Sequence, residues 1–174
     1  GFPQAPGAAA ARDATAQRGL PVAVSAVRGP TAARTSFPGE TLRVISDDAW
    51  GITTIFQEAE SEHYAGKLAV AEVILTRTRN KFRSDGSVAG TVLRDRQFSG
   101  WNAQAKNRTR SARLDDGDAI VQECIKAWAE AKTGTATVAG AEFYVNLSIV
   151  KPEWIKELRF VKKVGAHSFY ARKV

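Results

Sequence analysis

Apolar residues in the middle of the chain recur at helical spacing. Ile52, Ile55, Phe56 and Ala59 stand at i, i+3, i+4 and i+7, which gathers them on one face of an α-helix. Ser46 followed by Asp47 and Asp48 supplies a hydroxyl cap and an acidic first turn, so this helix is predicted from about Asp47 to Ser61. From Ala65 to Leu75 the run is apolar nearly all round, so a second helix should lie deep and Glu72 within it must find a partner. A third helix is predicted from Asp116 or Asp118 to Lys132, with Ile120, Cys124, Ala127 and Trp128 on one face and Gly134 as its stop. Two later segments, Glu142 to Asn146 and Phe160 to Tyr170, are rich in aromatic and β-branched residues and read as strands. Helices first and strands after predict an α+β domain, and no repeat of solenoid period interrupts it.

The start of the chain has another character. Ala, Gly and Pro fill 21 of residues 1–40, and large apolar side chains are too sparse there to close a core. Residues 1–46 are therefore expected to be an extended arm and residues 47–174 the folded domain. The stretch Leu20 to Val27 can add to a sheet edge, so the arm is expected to dock on a neighbouring subunit or a larger particle.

The chain has 174 residues and a single cysteine, Cys124, which can form no internal disulfide. No stretch has the ~20 consecutive apolar residues that span a bilayer. There is no methionine even at position 1, so the chain reads as a processed or truncated product from which an export signal can have been removed. A net charge of +7 suits an acidic partner. Arg77, Arg79, Lys81 and Arg83 form one basic run, while Arg94, Arg96, Lys106, Arg108, Arg110 and Arg113 meet only Asp95. Either stretch can face a ligand or be a solvated charged face.

Glu58 and Glu62 are four apart and would share a face of a continuous helix, with Glu58 beside the apolar stripe. A carboxyl at the edge of a core has its ionised form desolvated, which raises its pKa and suits it to donate a proton near neutral pH. Cleavage of a glycosidic bond needs such a general acid. From spacing alone, a solvated helix carrying three surface glutamates is the commoner arrangement.

The stretch from Phe56 to Ala71, Phe-Gln-Glu-Ala-Glu-Ser-Glu-His-Tyr-Ala-Gly-Lys-Leu-Ala-Val-Ala, resembles the signature of the SleB-type cell wall hydrolases. Gln97-Phe98-Ser99 with Trp101, Gly140-Ala141-Glu142-Phe143-Tyr144 and Val164-Gly165-Ala166-His167-Ser168-Phe169-Tyr170 are similar to later elements of that family, in the same order. Gln57 and His63 depart from it, standing where glycine and proline are usual. The resemblance covers about Ile52 to Tyr170. It implies a lysozyme-like fold, akin to goose-type lysozymes and lytic transglycosylases, with a helical core and a small β-sheet. It also implies that Glu58 is the catalytic acid, protonating the oxygen between N-acetylmuramic acid and N-acetylglucosamine and then acting as base to leave a 1,6-anhydro product.

Around that acid, Glu62 is the candidate second carboxylate, should the outcome be hydrolysis. Gln97 and Ser99 can bond N-acetyl groups or simply form a turn. Tyr144 and Tyr170 can stack on sugar rings or serve the core. His167 is expected to support the site. The implied partner is peptidoglycan, with no cofactor and no metal, and the implied place of action is extracytoplasmic or on a phage virion. Two other classes compete. A zinc amidase would need three ligands, and His63 and His167 are the only histidines, so Glu58 or Glu62 would have to complete the set. A non-enzymatic virion or nucleic-acid-binding module would use the basic loops, but a single aromatic residue, Phe82, stands within the 77–83 run, too few for a stacking platform, and nucleic acid is not the expected partner.

Overall fold

The computed structural model describes residues 38–94, 97–101, 114–115 and 117–174, with 38–46 as backbone only. The arm up to residue 37 and most of the basic stretch between 95 and 113 lie outside the described residues, as do the docking roles expected of them.

Helix α1 runs Pro38–Ala59, starting nine residues before the Asp47 expected from sequence. Proline in the first helical position loses no needed N–H and has its φ already set. Ser46-Asp47-Asp48 therefore lies inside α1, where Asp48 accepts bonds from Trp128 Nε1 (2.6 Å) and Lys132 Nζ (2.8 Å) instead of capping. Helix α2, Tyr64–Arg79, is buried on nearly all sides, as its nearly all-round apolar run predicts. Its Glu72 finds the required partners in the backbone N–H groups of Thr137 and Val138, at 2.9 and 2.8 Å. A short helix α3, Val88–Val92, follows, with Ser87 capping it through Gly90 N–H. Helix α4 spans Ala119–Lys132, capped by Asp118 and followed by Gly134 at φ 97°, close to the predicted bounds.

Strand β1 is Phe143–Val145. The second predicted strand is a hairpin: β2, Leu158–Val164, turns at Gly165 (φ 57°) into β3, His167–Arg172. The order is β1-β3-β2, all antiparallel, with Tyr144 opposite Phe169 and Phe169 opposite Lys162. One sheet face, carrying Tyr144, Val164 and Phe169, joins the core of α1, α2 and α4. The other, carrying Phe143, Val145, Leu158 and Tyr170, closes a smaller cluster with Phe82 and Trp154. A helical core bearing a small sheet is the fold class expected from sequence.

Candidate active site

Glu58 sits in the last turn of α1, beside the buried Ile55, Phe56 and Ala59. Its residue surface stays partly exposed while its carboxyl end is held by donors from two other segments. The Tyr144 hydroxyl donates to Oε2 at 2.7 Å, and the Gly100 backbone N–H approaches Oε1 at 3.4 Å. Gly100 belongs to a 3₁₀ turn, Ser99–Trp101, pressed against α1. A Cβ on Gly100 would lie 2.3 Å from Gln57 Oε1, so only glycine brings its N–H this close to the acid. The turn is pinned by Trp101, whose Nε1 donates to Thr54 Oγ1 at 2.9 Å and whose ring meets Trp50 edge-on at 4.8 Å.

Burial pushes the Glu58 carboxyl above its ordinary range, outweighing the opposing bonds from Tyr144, Gly100 and Ser99 and the positive charge of Arg77. Burial, with the neighbouring carboxyl, also holds the Tyr144 hydroxyl well above its usual value. The pair is thus an acid that holds its proton to higher pH than an ordinary glutamate, steadied by a phenol whose own pKa is raised.

Arg77 lies beneath this pair and is 1% exposed, although the sequence left it in a basic run free to face ligand or solvent. Its Nε donates to Glu142 O at 2.5 Å and its Nη1 to Gln97 Oε1 at 3.4 Å, and its guanidinium stacks over Phe98 and Phe143 at 5.1 and 5.8 Å. Burial lowers its pKa to about 10, so it remains charged at neutral pH. Arg77 thereby ties α2 to β1 and to the segment leading into the Gly100 turn.

Glu62 does not share a helical face with Glu58, because α1 ends at Ala59 and the Glu62 N–H closes a turn onto Ala59 O at 3.0 Å. Its carboxylate reaches the hairpin instead, accepting from Ala166 N–H at 3.2 Å and lying 3.5 Å from His167 Nδ1 without hydrogen-bond alignment. Gly165 turns at φ 57°, which favours glycine, and a Cβ there would fall 1.9 Å from Glu62 Oε2 and displace that carboxylate. The His167 ring meets Tyr144 edge-on at 5.3 Å, which links the hairpin turn to the acid. Burial lowers the His167 pKa, opposed by Glu62.

The structure therefore brings Glu58, Ser99, Tyr144, His167 and Glu62 to one end of the molecule. It does not bring Tyr170, which pairs with Phe143 and packs on Trp154 and Phe160 across the opposite sheet face. Adjacent strand residues point to opposite faces, so with Phe169 beneath Tyr144 at 5.7 Å, Tyr170 must turn away. Gln97 is 4% exposed with its carboxamide oxygen on Arg77, a place for supporting the turn rather than reaching a ligand. Sequence reasoning missed Arg77, Gly100 and the Ala166 N–H. Among the described residues, no three His, Cys, Asp or Glu side chains gather as metal ligands would.

The model of the cell wall hydrolase family matches residues 61–170, a span that begins just after Glu58. Among solved structures, the chain is similar to the catalytic domain of the germination-specific lytic transglycosylase SleB from Bacillus anthracis. That similarity has a TM-score of 0.58 at 25% identity and covers 71% of this chain and 93% of that domain. It is likewise similar to the catalytic domain of the Bacillus cereus SleB protein, with a TM-score of 0.56, 25% identity, and 72% and 90% of the two chains covered. No curated protein sequence matches it.

Proposed function

The chain belongs to the cell wall hydrolase family, and from that premise we propose that it degrades peptidoglycan as a lytic transglycosylase, with Glu58 as its acid and base. The bond cut is the one between N-acetylmuramic acid and N-acetylglucosamine. The similarity to the SleB lytic transglycosylase domain supports this reaction class. The observation that carries it is the setting of Glu58, a carboxyl at the core's edge whose pKa burial raises, yet bonded by Tyr144 and Gly100 so that its anion is also tolerated.

Glu58 gives its proton to the glycosidic oxygen as the bond from that oxygen to the muramic anomeric carbon breaks. Positive charge builds on the sugar ring while the new carboxylate is steadied by the Tyr144 hydroxyl and the Gly100 N–H. The carboxylate then takes the proton from the muramic 6-hydroxyl as that oxygen closes on the anomeric carbon. The product is a 1,6-anhydro end, no water is consumed, and Glu58 is again protonated. A hydrolytic course would need a second carboxylate to activate water. Glu62, the candidate for that role, is turned to the hairpin, where it accepts from Ala166 N–H and lies beside His167.

The substrate places this action outside the cytoplasmic membrane, and no helix among the described residues is long and apolar enough to cross one. The test is digestion of purified peptidoglycan with mass spectrometry of the ends released. Anhydromuramic ends are expected. Reducing muramic ends carrying ¹⁸O from labelled water would replace transglycosylation by hydrolysis, and intact glycan with cleaved stem peptides would overturn the reading.

A further inference from the structure

The 77–83 run is divided, with Arg77 buried, Arg83 half-buried, and Arg79 and Lys81 exposed. A second basic surface lies on the edge strand β2, which carries Arg159, Lys162 and Lys163, all exposed. No described acidic side chain pairs with any of the three. Their neighbours differ: Arg172 is bound to Glu142 at 2.6 Å, and Lys156 to Glu153.

Register sorts these cations by face. Tyr144, Phe169 and Lys162 form one row across β1, β3 and β2, and residues directly opposite share a face. Arg159 pairs with Ala171, two residues from Phe169, and so lies on that face too. Lys163 pairs with Ser168, which also faces Val145, and lies on the other. Strand spacing puts the Lys162 backbone roughly 10 Å from that of Tyr144, whose hydroxyl holds Glu58.

We infer that Arg159 and Lys162 form a binding surface for the carboxylates of the peptide stems, flanking the sugars held at Glu58. The inference rests on the glycan-cleavage reading above. Stems branch from the same polymer, and exposed cations beside the cutting point would select strands that still bear them. Edge-strand lysines also deter pairing with another sheet. That second role does not depend on which face a charge occupies.

The experiment compares the parent, the Arg159→Gln/Lys162→Gln double variant and a Lys163→Gln control on two substrates, peptidoglycan with stems intact and glycan strands stripped of them. Each exposed pair is worth about a factor of two. The double variant is expected to raise KM for intact peptidoglycan about fourfold at low salt, with kcat unchanged and no effect on stripped strands. The difference should fade near 0.5 M salt, where screening is strong. An equal loss on stripped strands, or a loss as large in Lys163→Gln, would overturn the surface. Cosedimentation of the same proteins carrying Glu58→Gln reads binding apart from cleavage. Tighter binding of intact than stripped material that disappears in the double variant supports the surface even if the parent cuts neither substrate, a result that would sink the glycosidase reading alone. Equal binding by parent and double variant overturns the surface whatever the activity.

Discussion

Glu58 and Glu62 lie four residues apart and meet opposite surroundings. Glu58 ends a helix, faces a phenol and a backbone N–H, and has its carboxyl raised by burial. Glu62 stands in the turn after that helix and is drawn to a backbone N–H and an imidazole at the β2–β3 turn. The difference lies in where the chain leaves the helix. Ending α1 at Ala59 sends the second carboxylate to the hairpin and leaves the first alone beside the core. One acid can then carry a proton while the other closes the end of the domain.

The strongest way to break this contrast is Glu58→Gln, which keeps the shape but carries no transferable proton. Wall lysis should fall by about 10²- to 10⁴-fold. Stability should move the other way. A carboxyl raised by burial contributes stability that is fully present below the ordinary carboxylate range and lost as pH rises through the folded value. The uncharged variant should therefore melt no lower than the parent at neutral pH. Retained lysis would remove Glu58 from the chemistry.

Gly100→Ala should come next. The added Cβ would meet Gln57 Oε1 at 2.3 Å, and the turn must retreat, taking its N–H from Glu58. An activity loss of about 10- to 100-fold is expected with the fold kept, because small displacements of a positioned group are costly. Unchanged kinetics would show that the Gly100 N–H is idle.

Tyr144→Phe should cost roughly tenfold, the usual effect of losing one hydrogen bond to a charged group. The Tyr144 bond lowers the Glu58 pKa, so its loss should leave the acid protonated to higher pH. The alkaline limb of the activity profile should shift upward, and a downward shift would contradict the assignment. Glu62→Gln should have the smallest effect on catalysis, a few-fold at most, with about 1 kcal/mol lost from stability as the hairpin turn loosens. A loss of lysis equal to that of Glu58→Gln would restore Glu62 as a second catalytic carboxylate.

Much of this arrangement was legible in the residues. The stripe Ile52, Ile55, Phe56 and Ala59 placed Glu58 at the core's edge, and Asp118 and Gly134 marked the ends of α4. Other parts were hidden by competing signals. Ser46-Asp47-Asp48 imitates a helix start, yet Leu42 and Ile45 precede Ala49 and Ile52 by seven residues and continue the periodicity back toward Pro38. Arg77 looked like one member of a basic run, but Val70, Val73, Ile74 and Arg77 are spaced i, i+3, i+4 and i+7, which places it in the buried layer. Tyr170 and Phe169 are neighbours, so pleating allows only one of them under Tyr144. Which one depends on strand register, and register follows from long-range pairing that no local pattern contains.

The central claim, that burial keeps the Glu58 carboxyl protonated beyond the range of an ordinary glutamate, can be read directly. Titration of the Glu58 side-chain carboxyl by ¹³C NMR, assigned by its absence in Glu58→Gln, gives the midpoint of that single group. The midpoint should lie above the ordinary glutamate value and move higher still in Tyr144→Phe. A midpoint at or below the ordinary value would mean that the Tyr144 and Gly100 bonds outweigh burial, and Glu58 would then be an anion at neutral pH with no proton to give.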